Sequence, residues 1–326
     1  MVICSGTSRL VVVQEDFLPA DRQAALEDIL LGAPHGLGGH TSQTCKLATV
    51  SRDDKAGRFQ FHFYQMVRET RSVLPTMECS NAASASALFA LLNSLCEPTE
   101  RRMETINLAT GQRIQLFLPS KVGTHEHSWE GNWTIRFLLS GGIRHRFSSA
   151  LEPKEARVLG QSFSYREVHH GNLFIFCDFD PRQMTAELSA AIAAHVREEH
   201  PQHIPKIIPY RVLEQKEAGA CIHLEAASYF HGERHGSLPG SAAMALGLFL
   251  GLCKPRCLSE DGDRHTFDIE HQGGRSRVHL QLRDGEPVYT EFDTPVRLLM
   301  RGHASLPCRA CSEEKEQTTC AESPVS

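Results

Sequence analysis

The sequence predicts an α+β protein with two similar halves, each burying one apolar helix inside its own sheet. Two stretches rich in small and apolar residues, at 78–92 and 234–252, have the composition of buried helices. Most of the chain between them consists of short alternating runs separated by Gly, Pro, Asp or Ser, which is typical of strands. With 326 residues and 41% hydrophobic content, the chain has enough apolar material for two cores.

Two further helices are predicted from proline placement and apolar spacing. The first starts after Leu18 with Pro19 in its first turn, and the second has Asp180 as N-cap and Pro181 at its first position. Their inward faces are predicted to be Leu26, Ile29 and Leu30 in the first helix and Met184, Leu188 and Ile192 in the second.

The alternating pattern of strands is clearest in four runs of the sequence. These runs are residues 58–64, 113–118, 173–177 and 277–282. We expect a first domain of residues 1–118 plus 288–303 and a second domain of residues 119–287. Residues 304–326 contain SEEKEQTT and no apolar periodicity, so they are predicted to be a disordered tail.

The two apolar helices look like copies of one design, which indicates a divergent internal duplication. Matching the starts of the two stretches places Ser237 opposite Cys79 and Gly240 opposite Ala82. If each helix is central to its half, the two N-termini face each other across a cleft. Such a cleft offers two sets of backbone N–H donors, which suits proton transfer at a carbon next to a carboxylate.

Cys79 stands directly ahead of the first apolar helix, together with Ser80 and Asn81. The unpaired N–H groups of a first helical turn attract anions and favour the thiolate form of a neighbouring cysteine. The residue is therefore a candidate acid/base group. The alternative is an inert cysteine in a small-residue core helix, because free cysteines are among the most buried residues.

Composition narrows the class of partner. The net charge of −5 and the absence of a basic cluster argue against nucleic-acid binding, so a small molecule is the expected partner. No signal peptide is visible, and the longest apolar stretch, residues 242–253, is too short to span a bilayer. The 11 cysteines have no framework spacing, which favours reduced thiols in a cytoplasmic protein. We expect the protein to be a monomer or a homodimer.

Several segments, in order along the chain, carry a resemblance to a known family. They are CSGTSR at 4–9, HGLGGHTSQTCKLATVS at 35–51, ECSN at 78–81, INLATGQRI at 106–114, HHGNLFIF at 169–176, PKII at 205–208, the helix start at 235–243, IEHQGG at 269–274 and VRLLMRG at 296–302. Together they resemble the 2-methylaconitate cis-trans isomerase family, within the diaminopimelate-epimerase-like superfold.

The resemblance implies a fold and a reaction. The fold is two pseudo-symmetric domains, each a β-barrel-like sheet wrapped round a central helix, with the active site between them. The reaction is a 1,3-proton shift that moves or reconfigures a double bond in a di- or tricarboxylate or related acid, without metal or organic cofactor. Lys46 and Cys79 fall on the family's lysine and cysteine, which implies that they are the acid/base pair. The sequence leaves open which of them is the base.

The resemblance also assigns substrate-binding residues. Around the first helix these are Thr7, Ser8, Arg9, Gly38, Gly39, Thr41, Ser42, Ser80 and Asn81. In the second half they are Asn172, His235, Ser237, Gly240 and Ser241. The Ser and Asn residues are equally suited to turns and helix caps, so capping is the alternative for each of them.

The chain also departs from the family pattern. Ser80 replaces a glycine after the cysteine, Pro239 replaces a threonine before the second helix, Leu173 replaces a proline, and Cys45 replaces a hydroxyl residue. These changes alter groups that would approach a substrate carboxylate. A related acid of a specialised pathway, or a substrate with fewer carboxylates, therefore fits these changes at least as well as the primary-metabolism substrate.

Two other functions compete with the isomerase. An epimerase or racemase would need a second base opposite Cys79, where the matched residue, Ser237, is a poor base unless it is activated. A non-catalytic relative would bind a small acid or a protein partner without turnover. A metal site at His125 and His127 is not expected, because no further ligand stands nearby in the sequence.

Overall fold

The computed structural model describes residues 1–19, 21–31, 37–38, 41, 43–67, 72–74, 77–119, 130–139, 152–215, 221–253 and 263–302. Among the sequence predictions, those for Gly39, Ser42, the His125 and His127 pair and the tail at 304–326 lie outside these residues.

The described part of the chain contains four α-helices and eighteen strands. The helices are α1 (Arg22–Leu31), α2 (Ser80–Leu92), α3 (Ala186–Glu199) and α4 (Gly240–Cys253). The strands of the first half are β1 (Val2–Ser5), β2 (Ser8–Gln14), β3 (Lys46–Asp53), β4 (Arg58–Val67), β5 (Ser72–Leu74), β6 (Arg102–Asn107), β7 (Arg113–Phe117) and β8 (Glu130–Leu138). Those that follow are β9 (Lys154–Val158), β10 (Gln161–His169), β11 (Leu173–Asp178), β12 (Lys206–Gln215), β13 (Cys221–Ala226), β14 (Tyr229–Phe230), β15 (Glu233–Arg234), β16 (Arg264–His271), β17 (Gly274–Arg283) and β18 (Glu286–Met300).

The first half is a closed barrel. Its strands pair in the cyclic order β1, β2, β3, β4, β6, β7, β8 and β18, and β18 pairs back onto β1. Two neighbours in this ring are parallel, β2 with β3 and β4 with β6. Parallel neighbours require crossover connections, and helices α1 and α2 lie in these two connections.

The second half repeats the same order of pairings. Strands β9, β10, β11, β12, β13, β16, β17 and β18 follow one another in the sheet. The parallel pairs are β11 with β12 and β13 with β16, and their connections contain α3 and α4. The topology confirms that the two halves are pseudo-symmetric.

The long strand β18 belongs to both halves. Its N-terminal part pairs with β17, its middle part with β8 and its C-terminal part with β1. The expected division of the chain at residue 118 stays a prediction, and β8, which follows that position, takes part in closing the first barrel.

The central helices are α2 and α4, as the composition predicted. Residues 80–90 of α2 and residues 240–252 of α4 are buried on every side, which is why these helices show no polar face. Small residues let the surrounding sheets approach closely. A Cβ at Gly247, for example, would lie 3.1 Å from atoms of both Phe267 and Val278.

The two outer helices bury the predicted faces, but they begin later than predicted. Helix α1 starts at Arg22, and the Asp21 carboxylate accepts a hydrogen bond from Ala24 N. Helix α3 starts at Ala186 because Thr185 is its N-cap, with its hydroxyl accepting from Leu188 N at 3.1 Å. Asp180 instead accepts from Arg182 N in the preceding turn, so the prediction of Asp180 as the α3 N-cap was wrong. No helix in the described ranges is long and apolar enough to cross a membrane.

Candidate active site

A pocket lies between the two halves, where helices α2 and α4 begin. From the first half it is lined by Lys46, Phe63, Gln65, Met77, Glu78, Cys79, Ser80 and Asn81. From the second half it is lined by Lys206, Ser228, Phe230, His235, Pro239, Gly240 and Ser241. The predicted meeting of the two helix starts across a cleft is therefore present in the structure.

Cys79 is the N-cap residue of α2. Its backbone is extended (φ −146°, ψ 107°), and its carbonyl accepts hydrogen bonds from Ala82 N and Ala83 N at 3.0 and 3.1 Å. The side chain makes no capping hydrogen bond, and the residue is 8% exposed and lines the pocket. The backbone thus begins the helix while the thiol remains available to the pocket.

Lys46 is the first residue of β3, and its partner Ser8 also binds Asn81. Its Nζ donates to Ser8 Oγ at 2.9 Å, and Asn81 Nδ2 donates to the same oxygen at 3.0 Å. Lys46 is 7% exposed and lines the pocket with Cys79. The structure therefore brings together Lys46, Cys79, Ser8 and Asn81, four residues that are far apart in sequence.

Glu78 is a buried carboxyl group beside Cys79 that the sequence did not single out. One carboxylate oxygen accepts from Cys79 N at 3.1 Å, and the other accepts from Asn107 Nδ2 at 3.0 Å and Thr110 Oγ1 at 2.8 Å. Burial raises the pKa of Glu78 to about 7, against the lowering effect of these hydrogen bonds. Glu78 therefore gains or loses its charge near neutral pH, and its carboxylate is hydrogen-bonded to the backbone of Cys79.

Asn172 uses its amide to bind the backbone of Glu78 across the two halves. Asn172 Nδ2 donates to Glu78 O at 2.9 Å, and Glu78 N donates to Asn172 Oδ1 at 3.3 Å. Gly171 precedes it with φ 67°, and a side chain there would collide with Cβ of Glu78. The structure thus gives Asn172 a contact that positions the backbone before Cys79, and its role in substrate binding stays a prediction.

His235 lines the pocket in its neutral form. Its Nδ1 donates to Ser237 O at 2.7 Å, which leaves Nε2 as an acceptor. Burial and then the charge of Lys46 lower the pKa of His235 to about 3. Its imidazole can therefore accept a hydrogen bond at neutral pH.

Relative to the predicted alignment of the two stretches, helix α4 begins two residues later than helix α2. Helix α2 begins at Ser80 and α4 at Gly240, so Pro239 directly precedes α4 as Cys79 directly precedes α2. The pairing of Ser237 with Cys79 stays a prediction, because helix starts alone do not fix which residues of the two halves are equivalent. Ser237 is buried outside the pocket lining, and Pro239 carries no acid/base group.

The remaining predicted binding residues divide into two groups. Ser80, Gly240 and Ser241 line the pocket with Asn81 and His235. Thr7, Arg9, Gly38 and Thr41 are not among the lining residues. Gly38 donates its N–H to Leu30 O at 3.0 Å, and Thr41 takes part in a turn with Thr44.

Lys206 is the second residue that sequence reasoning missed. It is the first residue of β12, as Lys46 is of β3, and it lines the same pocket. Burial lowers the pKa of Lys206 to about 8, and the charge of Cys79 acts in the opposite direction. Two features of the sequence indicate Lys206: each lysine comes just after the connection that contains an outer helix, and the PKII segment resembles one of the family.

One carboxylate and histidine cluster lies outside the pocket. Ligand atoms of Glu167, Glu199 and His200 lie within 4.8 Å of one another. However, Lys154 Nζ already bridges the two carboxylates, at 2.9 Å from Glu167 and 2.6 Å from Glu199. The Lys154 ammonium therefore already pairs with both carboxylates of the cluster.

Comparison with known proteins shows the fold of the chain. No protein-family model and no curated protein matches its sequence. The structure is similar to a methylitaconate-delta-isomerase, with a TM-score of 0.64 and 16% identity over 93% of this chain and 94% of that one. It is also similar to a probable proline racemase from Agrobacterium radiobacter with bound carbonate, with a TM-score of 0.60 and 11% identity over 94% and 92% of the two chains.

A third similar structure is a phenazine biosynthesis protein of the PhzF family from Bacillus anthracis. The TM-score is 0.52 and the identity 10%, over 92% of this chain and 100% of that one. The chain therefore has the diaminopimelate-epimerase-like fold that the resemblance implied.

Proposed function

We propose that the chain is a cofactor-independent isomerase that catalyses a 1,3-proton shift on an unsaturated di- or tricarboxylate or a related acid. The observation that carries this proposal is that Lys46 and Cys79 line one pocket at the start of a central helix, between two pseudo-symmetric halves. The likeness to a methylitaconate-delta-isomerase over nearly the whole chain supports the same reaction class.

The proposed chemistry uses both residues in turn. One of them removes a proton from a carbon beside the double bond, and the electron pair spreads through that bond onto a carboxylate. The other then delivers a proton to the far carbon, so that the double bond moves and no atom is gained or lost. The first turn of α2 borders the pocket through Ser80 and Asn81, and its positive end would stabilise this negative charge.

The surrounding polar groups hold the two reacting residues in place. Ser8 accepts hydrogen bonds from both Lys46 and Asn81, which fixes the lysine against the helix start. Asn172 holds the backbone of Glu78, the residue before Cys79. Such positioning by neighbouring groups is worth orders of magnitude in rate when reacting atoms must be aligned.

The site does not favour the two-thiol epimerase. Of the two residues that could lie opposite Cys79, Pro239 directly precedes α4 and has no group that can accept or give a proton, and Ser237 is a poor base unless it is activated. The likeness to a probable proline racemase reflects the shared fold. A non-catalytic acid binder would not require a lysine and a thiol to be held together in the same pocket.

We further propose a small carboxylate as the partner, with neither nucleic acid nor membrane involved. The chain would act in the cytoplasm as a monomer or homodimer, on an acid of a specialised pathway. The departures at Ser80 and Pro239 support a substrate other than that of primary metabolism, because both residues line the pocket.

Proton NMR in deuterium oxide tests the reaction directly. The purified protein is incubated with cis- and trans-aconitate, methylaconitate and itaconate, next to Lys46→Ala and Cys79→Ser variants. We expect deuterium to enter a carbon position as the double bond moves, because the delivered proton exchanges with solvent. Each variant should lower the rate by about 10²–10⁴-fold.

Two control variants separate catalysis from general damage. Lys55→Ala replaces an exposed lysine, and Cys221→Ser replaces a half-buried cysteine outside the pocket. Both should retain the wild-type rate. Absence of exchange with every acid would exclude an aconitate-type or itaconate-type substrate, and full activity in the Lys46 and Cys79 variants would contradict the proposal.

A further inference from the structure

The pseudo-symmetry relates Lys206 to Lys46. In the first half, Lys46 opens β3 and pairs with Leu10 of the parallel strand β2. In the second half, Lys206 opens β12 and pairs with Phe174 of the parallel strand β11. The two lysines thus occupy equivalent positions and enter the pocket from opposite halves.

Lys206 differs from Lys46 in its surroundings. Lys46 donates to Ser8, whereas the Lys206 ammonium has no hydrogen bond or salt bridge to any of the described residues. Its Nζ lies 5.7 Å from the ring centre of Phe174 and 5.8 Å from that of Phe230. Lys206 is only 9% exposed, so water replaces these missing partners poorly.

The charges near Lys206 do not provide a close partner either. The groups that act on it are Cys79 and Glu78 at the start of α2 and Lys46 on β3, and the neutral His235 lines the same pocket. A buried cation without a hydrogen-bond or ion-pair partner is costly unless an anion pairs with it. Lys206 lines the same pocket as Lys46 and Cys79, in which the substrate would lie.

We propose that Lys206 is the carboxylate-binding residue of the second half, which pairs with a substrate carboxylate distinct from the one at the start of α2. This inference rests on the proposed function only in taking an acid as the ligand. The pocket then holds one carboxylate per half, with the reacting carbons between them. Lys206 would set the preference for acids with at least two carboxylates.

Direct binding tests the assignment without relying on turnover. Calorimetry at pH 7 measures the affinities for trans-aconitate, itaconate and crotonate, which carry three, two and one carboxylates. We expect wild type to bind the two polyacids more tightly than crotonate. In Lys206→Met the affinity for the polyacids should fall by about 30-fold or more, so that the preference over crotonate collapses.

The conservative variant and the pH profile exclude a purely structural effect. Lys206→Arg should restore most of the preference, because a guanidinium also pairs with carboxylates. Binding to wild type requires the ammonium form, so polyacid affinity should fall as the pH rises through about 8. In Lys206→Arg the fall near pH 8 should move to higher pH, and Lys55→Met should behave as wild type.

The outcomes for this inference and for the proposed function are distinguishable. Polyacid binding that depends on Lys206, without any isotope exchange, would support the inference and exclude isomerisation of those acids. Isotope exchange with an unchanged preference in a folded Lys206→Met would overturn the inference alone. Failure of every acid to bind wild type would overturn both.

Discussion

At the residue scale, Glu78 is a carboxyl group whose charge changes near neutral pH. It is 1% exposed, and burial raises its pKa from 4.5 to about 7. Its carboxylate accepts a hydrogen bond from Cys79 N, and its charge also acts on Lys206. The protonation of Glu78 therefore adjusts the electrostatic potential at two residues of the pocket.

This residue should give the protein a measurable dependence of stability on pH. Between about pH 4.5 and 7 the folded chain holds the Glu78 proton more tightly than the unfolded chain, so the stability contributed by this group falls as the pH rises. Complete ionisation corresponds to a loss of roughly 3 kcal/mol. Urea unfolding at pH 4.5 and pH 8 should show the difference between wild type and Glu78→Gln falling by an amount of that order.

An exposed carboxyl group provides the control for this measurement. Glu198 is solvent-exposed on α3, so Glu198→Gln should differ from wild type by the same small amount at both pH values. A difference between wild type and Glu78→Gln that does not change with pH would show that Glu78 ionises as an ordinary carboxyl group.

At the element scale, the pocket depends on how closely α2 and α4 approach at their first residues. A Cβ at Gly240 would collide with Ser80 Oγ and lie 2.8 Å from the Phe292 ring. Glycine is therefore required where the N-terminus of one central helix meets that of the other. Ser80 fills the space that this glycine leaves free.

Adding one methyl group at this point should disturb the site. We expect Gly240→Ala to lose about 1–3 kcal/mol of stability and to lower the isomerisation rate, because Ser80 and Phe292 must move. Ser80→Ala in the same chain should recover part of both losses by removing the nearest atom. Thermal unfolding and isotope exchange measure the two effects.

A second glycine close by serves as the matched control. A Cβ at Gly236 would lie 3.6 Å from its nearest neighbour, the Gln43 amide nitrogen, which is an ordinary contact. Gly236→Ala should therefore change the stability by no more than about 0.5 kcal/mol. An equal effect at both positions would show that the close helix approach is unimportant.

At the scale of the whole molecule, the two halves are joined by more than a linker. Strand β18 closes the first barrel through β8 and β1 and also pairs with β17 of the second sheet. Asn172 adds a direct contact to the backbone of Glu78. Buried residues of α2 and α4 belong to the same hydrophobic core.

The shared strand predicts that the halves unfold together. Trp133 is buried on β8 opposite Thr294 of β18, so its fluorescence reports the first barrel, whereas far-UV circular dichroism reports both halves. We expect one urea transition with the same midpoint by both probes. Two separated midpoints would show that each half is stable without the other.

Much of this architecture was predictable from local patterns. The two central helices follow from their uninterrupted small and apolar residues, and the predicted runs at 58–64, 113–118, 173–177 and 277–282 all fall in strands, with Leu118 immediately after the end of β7. Helix starts were less predictable, because Thr185 and Asp180 both carry side-chain acceptors suited to capping. Backbone geometry decided in favour of Thr185 for α3.

The candidate site was predictable only in part. The predicted residues that line the pocket are Lys46, from the motif at 35–51, and Cys79, Ser80, Asn81, His235, Gly240 and Ser241, from motifs around the two helix starts. Thr7, Arg9, Gly38 and Thr41 belong to similar motifs but are not among the lining residues. A motif places residues near an element, whereas side-chain direction depends on the turns that surround it.

The sequence by itself determined the fold class and the duplication through composition and periodicity, and its resemblance to a known family singled out Lys46 and Cys79. Only the tertiary structure decided that Pro239 directly precedes α4, that Lys206 lines the pocket and that Glu78 is buried next to Cys79. Those facts depend on strand register and on the packing of residues more than ninety positions apart. Burial and the proximity of charges arise only when the two halves close around α2 and α4.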